Sequence, residues 1–375
     1  MYKISIIFGT RPEAIKSAMV IKAFYERNDV ELSVCFTGQH IEMVTPLIDF
    51  FGLTVNESLD LMQQNQTLAG LTAKSMDAID AYLSRVNPDI VFVQGDTTTA
   101  MCAAIAAFYR NIKIGHIEAG LRTNDINSPF PEEFNRVVIS KITNLHFAPT
   151  QRARLNLIAE NVDSSDIFVT GNTVIDALLF TQEKNIKNNI NYKNFDYPWS
   201  LTDKPFILIT GHRRENFGSG FQEMCLAIKE LAIRFSHINF IYPVHLNPNV
   251  QKPVNDILSD QENVYLIPPL DYVHFTALLA DCYFVLTDSG GVQEEAPSFG
   301  KPVLVMRDST ERQEAIDAGT ALLVGTDKEK IILEASRLIQ DSEAYQKMST
   351  AQNPFGTGEA SKLIVNNTIH YLSGE

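Results

Sequence analysis

Short runs of apolar, β-branched and aromatic residues alternate along the chain with longer segments whose apolar positions recur at helical spacing. In the first half, the runs predict strands at residues 3–8, 32–37, 90–94, 113–116, 145–148 and 167–169. The helical spacing predicts helices at residues 12–26, 66–85, 98–110 and 131–143. Strands that are apolar along their whole length and are separated by helices indicate a parallel sheet covered on both faces.

The same alternation starts again in the second half of the chain. Strands are predicted at 206–210, 239–244, 264–267, 284–287 and 302–306, and helices at 222–235, 274–280 and 293–299. Residues 183–204, rich in Asn, Lys, Asp and Pro, predict an exposed loop, and a last helix is predicted at 359–371. We therefore expect an α/β protein of two Rossmann-like, doubly wound parallel-sheet domains that face each other across a cleft.

Length, charge and cysteine usage narrow the class of protein. The 375 residues agree with two domains, which we place at 1–170, joined by the C-terminal helix 356–375, and at 171–355. The net charge of −14 argues against general binding to nucleic acid or anionic membranes. With no signal peptide and no apolar stretch of membrane-spanning length, we expect a cytoplasmic protein. Four cysteines lie far apart in apolar surroundings, which predicts buried free thiols and no zinc site: Cys35, Cys102, Cys225 and Cys282.

The strand-to-helix junctions of the first half are unusually polar, and ligands of parallel sheets bind at such junctions. Arg11 and Lys16 follow the first strand and add positive charge near a helix N-terminus, either for an anion or only as solvated side chains. Asp96 follows the third strand, as a helix cap or as a catalytic carboxylate. Glu118 follows the fourth strand, and Glu132 opens the next helix. Carboxylates clustered at one sheet edge raise one another's pKa, which suits a site that needs an acid and a base.

The second half offers the opposite charge at its junctions. His212 and Arg213 follow a glycine after the first strand, a pattern that suits an anion. The run Ser289-Gly290-Gly291 lets backbone N–H groups approach a diphosphate, and Glu295 lies one turn further on, where ribose hydroxyls are in reach. The dinucleotide fingerprint and the Walker loop do not occur, so a nicotinamide cofactor is not expected.

Taken together, these motifs resemble one family. The runs at residues 9–16, 95–99, 116–123, 211–215 and 288–297, in this order and ending with the turn at 353–356, look like the non-hydrolysing UDP-N-acetylglucosamine 2-epimerases of bacteria. The resemblance implies a glycosyltransferase-B-like fold and reversible conversion of UDP-GlcNAc to UDP-ManNAc without cofactor or metal. It also implies that UDP is eliminated to give 2-acetamidoglucal and added back, and that the product supplies ManNAc units for surface polysaccharide.

The resemblance implies roles for individual residues. The catalytic neighbourhood would comprise Arg11, Lys16, Asp96, Glu118, Glu132 and His212. Ser289, Gly290 and Gly291 would hold the diphosphate, Glu295 the ribose and Phe275 the uracil, with help from Arg213 and Arg312. Leu270 stands where many members have glutamine. Which carboxylate removes the C2 proton stays open at this point.

A second UDP-GlcNAc activates many bacterial members of the family. Gln39, Glu132, Arg213 and His245 match the pattern of that activator site. Glu42 and Asn65 depart from it, since regulated members carry glutamine and arginine there, so the resemblance implies weak activation at most. We also expect a homodimer. Three alternatives remain: a hydrolysing relative that releases ManNAc and UDP, a UDP-sugar glycosyltransferase on the same fold, and a catalytically silent sensor.

Overall fold

The computed structural model describes residues 1–38, 41–61, 66–197 and 203–374, with the side chains of 41–43 left out of the description. The chain divides into two compact units. Unit 1 comprises Met1–Ala177 together with Phe355–Glu375, and unit 2 comprises Leu178–Pro354. The boundary between Ala177 and Leu178 falls inside a helix, a few residues beyond the position at which the sequence places it.

Thirteen strands are found in the described residues, in two parallel sheets. Those of unit 1 are β1 (Tyr2–Phe8), β2 (Val30–Phe36), β3 (Glu57–Ser58), β4 (Ile90–Gln94), β5 (Lys113–Ile117), β6 (Leu145–Ala148) and β7 (Ile167–Val169). Those of unit 2 are β8 (Phe206–Thr210), β9 (Asn239–Pro243), β10 (Val264–Ile267), β11 (Val285–Thr287), β12 (Val303–Val305) and β13 (Ala321–Leu323). The strand orders are β3-β2-β1-β4-β5-β6-β7 and β10-β9-β8-β11-β12-β13.

Helices connect the strands in both units. They are α1 (Arg11–Tyr25), α2 (Ile41–Phe51), α3 (Leu68–Val86), α4 (Thr98–Tyr109), α5 (Glu132–Ile142), α6 (Gln151–Ala159), α7 (Thr173–Lys187), α8 (Ser219–Arg234), α9 (Pro248–Leu258), α10 (Tyr272–Asp281), α11 (Gly290–Glu295), α12 (Gln313–Asp317), α13 (Lys328–Gln340), α14 (Ser342–Ser349) and α15 (Ala360–Ser373). Short 3₁₀ helices lie at Ser164–Asp166, Tyr192–Asn194, Arg214–Asn216 and Ala296–Phe299.

The strand order of each sheet sets the place of a ligand site. β1 pairs with β2 on one side and with β4 on the other, and in unit 2 β8 pairs in the same way with β9 and β11. At such a switch point the chain leaves neighbouring strands in opposite directions, which opens a crevice beyond their carboxyl ends. The residues after β1, β4, β8 and β11 therefore lie where a ligand of each unit is expected.

The core of unit 1 explains why its central strands lie close under a helix. All five residues of β4 are buried, and the face of α4 toward them carries alanines such as Ala100, Ala103 and Ala107. Small side chains let a helix approach the sheet closely, so the junction between β4 and α4 is held rigidly.

The C-terminal helix packs within unit 1. The carboxylate of Asp176 accepts hydrogen bonds from the backbone N–H groups of Ala360 (3.2 Å) and Ser361 (2.7 Å) at the start of α15. Nearby, the backbone N–H of Asn172 donates to the Phe355 carbonyl over 2.7 Å. Gly171 has a φ of +87° and a Cβ there would lie 3.2 Å from the Cα of Gly356, so both close approach and backbone conformation require glycine.

The predicted fold class, two doubly wound parallel-sheet domains, is confirmed, and eleven predicted strands coincide with strands of the structure within two residues at each end. Two outer strands, β3 with two residues and β13 with three, were not predicted. The loop predicted at 183–204 is partly wrong: α7 continues to Lys187 and a 3₁₀ helix covers Tyr192–Asn194, while residues 198–202 lie outside the described part.

Two sequence expectations concern the interior and the membrane. The four cysteines are free and buried, as predicted, and burial raises the pKa of Cys225 and of Cys282 to about 12. Among the described residues, none of the helices combines the length and the apolar character that crossing a bilayer requires.

Candidate functional site

Glu118 is held by three side chains at the unit 1 junctions. It pairs with the Lys16 ammonium, and it accepts hydrogen bonds from the side-chain amides of Gln94 and of Asn172, the latter over 2.9 Å. The side chain is only 7 % exposed. Donors at the end of β4, in the second turn of α1 and just before α7 therefore fix both carboxylate oxygens in one orientation.

The backbone at Glu118 has an unusual conformation that aims this side chain. Its φ is +66°, in the left-handed region that residues with a Cβ seldom adopt. Gly95, at the end of the neighbouring strand, also has a positive φ, and a Cβ there would lie 3.5 Å from the Glu118 carboxylate. A costly backbone conformation is kept where the surrounding bonds over-determine it, and such places are frequent at functional sites.

Asp96 lies beside the same strand ends and is paired with Arg136. The guanidinium of Arg136 on α5 donates to its carboxylate over 2.5 Å, and Asn135 donates to its backbone carbonyl over 2.8 Å. Burial raises the pKa of Asp96, Arg136 acts to lower it, and Glu118 raises it further. The helix cap of α4 is Thr97, whose hydroxyl accepts from the Ala100 N–H, so the reading of Asp96 as the cap is wrong.

Glu132 and Glu133 stand side by side at the start of α5 but have different surroundings. Glu133 is 2 % exposed, accepts from the N–H groups of Thr123 and Asn124, and pairs with Arg136. Glu132 is half-buried on the helix that also carries Arg136, which binds Asp96. The structure thus brings Asp96 and Glu118 to adjacent strand ends, and Glu132 to the first turn of the helix bonded to Asp96.

Glu13 connects the two junctions that carry these groups. Its carboxylate is 1 % exposed and accepts from the Gly9 and Thr10 N–H groups and from the hydroxyls of Thr10 and Thr97. Burial raises the pKa of Glu13, and these hydrogen bonds oppose the rise. Sequence reasoning missed this residue, although a glutamate three positions after a helix-capping threonine is a capping-box signal.

Two basic side chains of α1 and one histidine of β5 also lie at the carboxyl ends of the unit 1 strands. Arg11 is exposed at the start of α1, whereas Lys16 one turn later reaches Glu118. His116 in β5 is fully buried, with Nε2 donating to the Gly95 carbonyl over 2.7 Å, and burial lowers its pKa to about 4. The neutral His116 ring therefore stabilises the turn at Gly95 by its hydrogen bond to the Gly95 carbonyl.

In unit 2, Asp288 organises the loop after β8. This carboxylate is fully buried at the end of β11, and its Oδ2 accepts from the backbone N–H groups of His212 and Arg213, each over 2.8 Å. The His212 ring is stacked on His245, with ring centres 5.2 Å apart and an angle of 12° between planes. Asp288 therefore shapes the loop that carries both basic side chains.

Arginines and glutamates alternate around the start of α11. Glu311 lies among Arg312, Arg307 and Arg213, at 2.9, 2.8 and 3.8 Å. Burial acts to raise the pKa of Glu311, but these arginines outweigh it and bring the pKa to about 2. Arg312 also bonds the buried Glu294 over 2.8 Å. The arginine side chains are thereby pre-oriented.

The predicted diphosphate, ribose and base residues lie around α11 and α10. Ser289 precedes α11, and a Cβ on Gly290 would lie 3.3 Å from the Arg312 guanidinium carbon, so glycine lets this cation cover the turn. The Tyr272 hydroxyl donates to Glu295 over 3.4 Å. Phe275 is half-buried in α10.

Part of the predicted activator set cannot be placed. Gln39 and Asn65 lie outside the described residues, as does the side chain of Glu42. Glu132 belongs to unit 1, and Arg213 and His245 to unit 2. In the described part of the chain, no group of three or more His, Cys, Asp or Glu side chains is arranged to hold a metal ion.

Comparison with known proteins indicates the same family that the sequence motifs resemble. The family model described as UDP-N-acetylglucosamine 2-epimerase matches residues 22–368. A curated UDP-N-acetylglucosamine 2-epimerase of Campylobacter jejuni is 51 % identical, covering 100 % of this chain and 99 % of its own. The crystal structure of the UDP-GlcNAc 2-epimerase of Neisseria meningitidis bound to UDP-GlcNAc is 46 % identical with a TM-score of 0.91, covering 98 % of this chain and 99 % of that one. A Staphylococcus aureus structure in complex with UDP is 43 % identical with a TM-score of 0.88, over 100 % and 97 %.

Proposed function

The chain belongs to the UDP-N-acetylglucosamine 2-epimerase family, and from this premise we propose that it interconverts UDP-GlcNAc and UDP-ManNAc by eliminating UDP and adding it back. The observation that carries the proposal is the Glu118 carboxylate, held by Lys16, Gln94 and Asn172 beside Asp96 at the switch point of unit 1. Similarity to structures with bound UDP-GlcNAc and UDP supports the substrate class.

The elimination step needs a base for a weakly acidic proton. A carboxylate takes the proton from C2, the electron pair forms the C1=C2 bond of 2-acetamidoglucal, and the C1–O pair leaves with UDP. Re-addition forms the C1–O bond again and returns a proton to the other face of C2. We assign the proton transfers to Asp96, Glu118 and Glu132. Burial raises the pKa of Asp96, which suits a group that accepts a proton.

The departing diphosphate needs positive charge and oriented donors. Arg312 and Arg213 are held by Glu311, and Ser289, Gly290 and Gly291 lie at the start of α11 beside Arg312. Pre-oriented cations stabilise charge that develops on a leaving group without reorganising during the reaction. In the proposal, Glu295 binds the ribose, Phe275 stacks on the uracil, and Arg11 and Lys16 complete the cationic surroundings of the sugar diphosphate.

The experiment that separates the candidate reactions is proton NMR of UDP-GlcNAc with the protein in D2O. We expect UDP-ManNAc to form with deuterium at C2, and deuterium to enter the remaining UDP-GlcNAc as well. Accumulation of free ManNAc and UDP would instead favour the hydrolysing relative. Sugar transfer to an added acceptor with hydrogen retained at C2 would favour a glycosyltransferase, and binding without any turnover would favour a sensor.

Cellular role, location and assembly are extensions of the same proposal. A UDP-ManNAc product would supply ManNAc units for surface polysaccharide, and the buried free cysteines suit a reducing, cytoplasmic setting. The homodimer stays a prediction from the resemblance, which light scattering of the purified chain tests directly.

A further inference from the structure

The two carboxylate oxygens of Asp288 have different surroundings, and Oδ2 is the one that is bonded to the loop after β8. Oδ2 accepts the backbone N–H groups of His212 and Arg213, as well as a longer contact of 3.4 Å from the Asn216 amide. Within the described part of the chain, Oδ1 is buried without a hydrogen-bond partner. A buried oxygen that lacks a donor is costly, and its presence calls for a physical reason.

A basic atom, Nδ1 of His212, lies 3.7 Å from this oxygen. That distance is within ion-pair range but too long for a hydrogen bond. A small rotation of the ring closes it, and catalytic contacts are often long before a substrate binds. The stack on His245 holds the plane of the ring, while 42 % of the His212 side chain stays exposed. Nε2, on the opposite side of the ring, points away from the Asp288 contact.

We infer that Asp288 is a positioning residue that holds His212 in the tautomer with hydrogen on Nδ1, so that Nε2 is the atom that exchanges a proton with the departing UDP. As the C1–O bond breaks, the Nε2–H of the protonated ring passes its proton to the phosphate oxygen that receives the electron pair. The ring is then neutral with hydrogen on Nδ1, and re-addition reverses the transfer. The inference rests on the proposed function.

The substitution Asp288→Asn tests this with little change of shape. Two backbone N–H groups donate to Oδ2, so the asparagine oxygen must take that position and its NH₂ must face His212. An NH₂ group donates, so Nδ1 of the neutral ring becomes an acceptor and the hydrogen moves to Nε2. The loop stays bonded, but Nε2 can no longer take up a proton from the neutral state.

The first readout is the His212 tautomer, measured by long-range ¹H–¹⁵N NMR on protein labelled at its eight histidines, with UDP added. The signal is assigned by its loss in His212→Gln. We expect hydrogen on Nδ1 in the wild type and on Nε2 in Asp288→Asn. The same tautomer in both proteins would overturn the inference.

The second readout is kinetic. We expect kcat of Asp288→Asn to fall about 10²–10⁴-fold, the usual worth of one acid–base group, with KM for UDP-GlcNAc within about threefold, because ground-state binding is kept. The matched control is Asp341→Asn, since Asp341 likewise accepts two backbone N–H groups, at 2.9 and 3.0 Å, at the start of α14. The control should leave kcat unchanged.

The outcomes separate this inference from the proposed function. A shifted tautomer with unchanged kcat would overturn the role of Asp288 in the reaction. A loss of kcat with an unshifted tautomer would also contradict it and would assign the loss to the loop. If the wild type itself formed no UDP-ManNAc, the proposed function would fail, and the tautomer comparison would still decide whether Asp288 positions the ring.

Discussion

The two sheet edges hold charge in opposite ways. At the edge of unit 1, cations hold the carboxylates to which we assign the proton transfers: Lys16 pairs with Glu118, and Arg136 with Asp96. At the edge of unit 2 the roles are reversed, because the carboxylates of Glu311 and Glu294 hold Arg312. On the proposed function, one fold used twice would supply a proton acceptor in one unit and an anion site in the other.

We expect the largest loss of activity when the charge of a unit 1 carboxylate is removed. We expect Asp96→Asn, Glu118→Gln and Glu132→Gln each to lower kcat by about 10²–10⁴-fold with little change in the unfolding midpoint. Initial rates by NMR and thermal unfolding of the same samples are the measurements. Glu26→Gln, at an exposed position, is the control. Near-normal rates in all three variants would remove the acid–base assignment.

The neighbours Glu132 and Glu133 separate an effect on stability from an effect on activity. Glu133 is buried and bonds two backbone N–H groups and Arg136, so Glu133→Gln should lower the free energy of unfolding by about 1–3 kcal/mol. Glu132→Gln should instead lower kcat with an unchanged free energy of unfolding. Equal changes of kcat and of the free energy of unfolding in the two variants would contradict the assignment of a catalytic role to Glu132 and a structural role to Glu133.

Removing one cation tests unit 2. In Arg312→Met, the buried Glu294 loses the guanidinium beside it, which should cost about 3–5 kcal/mol of stability and weaken UDP binding. Denaturant unfolding and calorimetric titration with UDP measure the two effects. The control is Arg337→Met, whose exposed ion pair with Glu334 is worth at most about 1 kcal/mol. Unchanged UDP affinity in Arg312→Met would contradict the anion site.

The buried His116 makes the stability of unit 1 depend on pH. Burial lowers the pKa of His116 from 6.5 to about 4. The neutral ring is therefore favoured in the folded state, and its stabilisation is present above pH 6.5 and is lost as the pH falls to about 4. At about 1.4 kcal/mol per pKa unit, the loss is about 3 kcal/mol. Denaturant unfolding at both pH values should show a smaller loss in His116→Gln than in the wild type; equal losses would contradict the burial argument.

The smallest effect is expected at the ribose. UDP alone should stabilise the protein, by about 2.7 kcal/mol at one hundred times Kd. Glu295→Ala should weaken UDP binding about tenfold, the worth of one hydrogen bond to a charged group, and reduce the thermal shift. Glu329→Ala, at a side chain that is 79 % exposed, is the control. A full UDP shift in Glu295→Ala would remove the ribose assignment.

The sequence predicted the elements that repeat a pattern and the junctions that follow them. β4, β6, β8 and β10 were predicted at their observed bounds, because strands of a covered parallel sheet are mostly apolar. The positive φ of Glu118 and the pairing of Asp96 with Arg136 depend on contacts between distant parts of the chain, which no local pattern encodes. Asp288 was visible in its motif, but its bonds to His212 and Arg213 come from another strand end.

The central claim is that UDP leaves and returns during each conversion, and an oxygen label tests it most directly. UDP-GlcNAc carrying ¹⁸O in the bond between C1 and the β-phosphate is incubated with the protein, and ³¹P NMR follows the label in recovered substrate and in UDP-ManNAc. The account predicts that the label spreads into non-bridging positions of the β-phosphate as turnover proceeds. UDP-ManNAc that forms while all of the label stays in the bridge would contradict elimination of UDP.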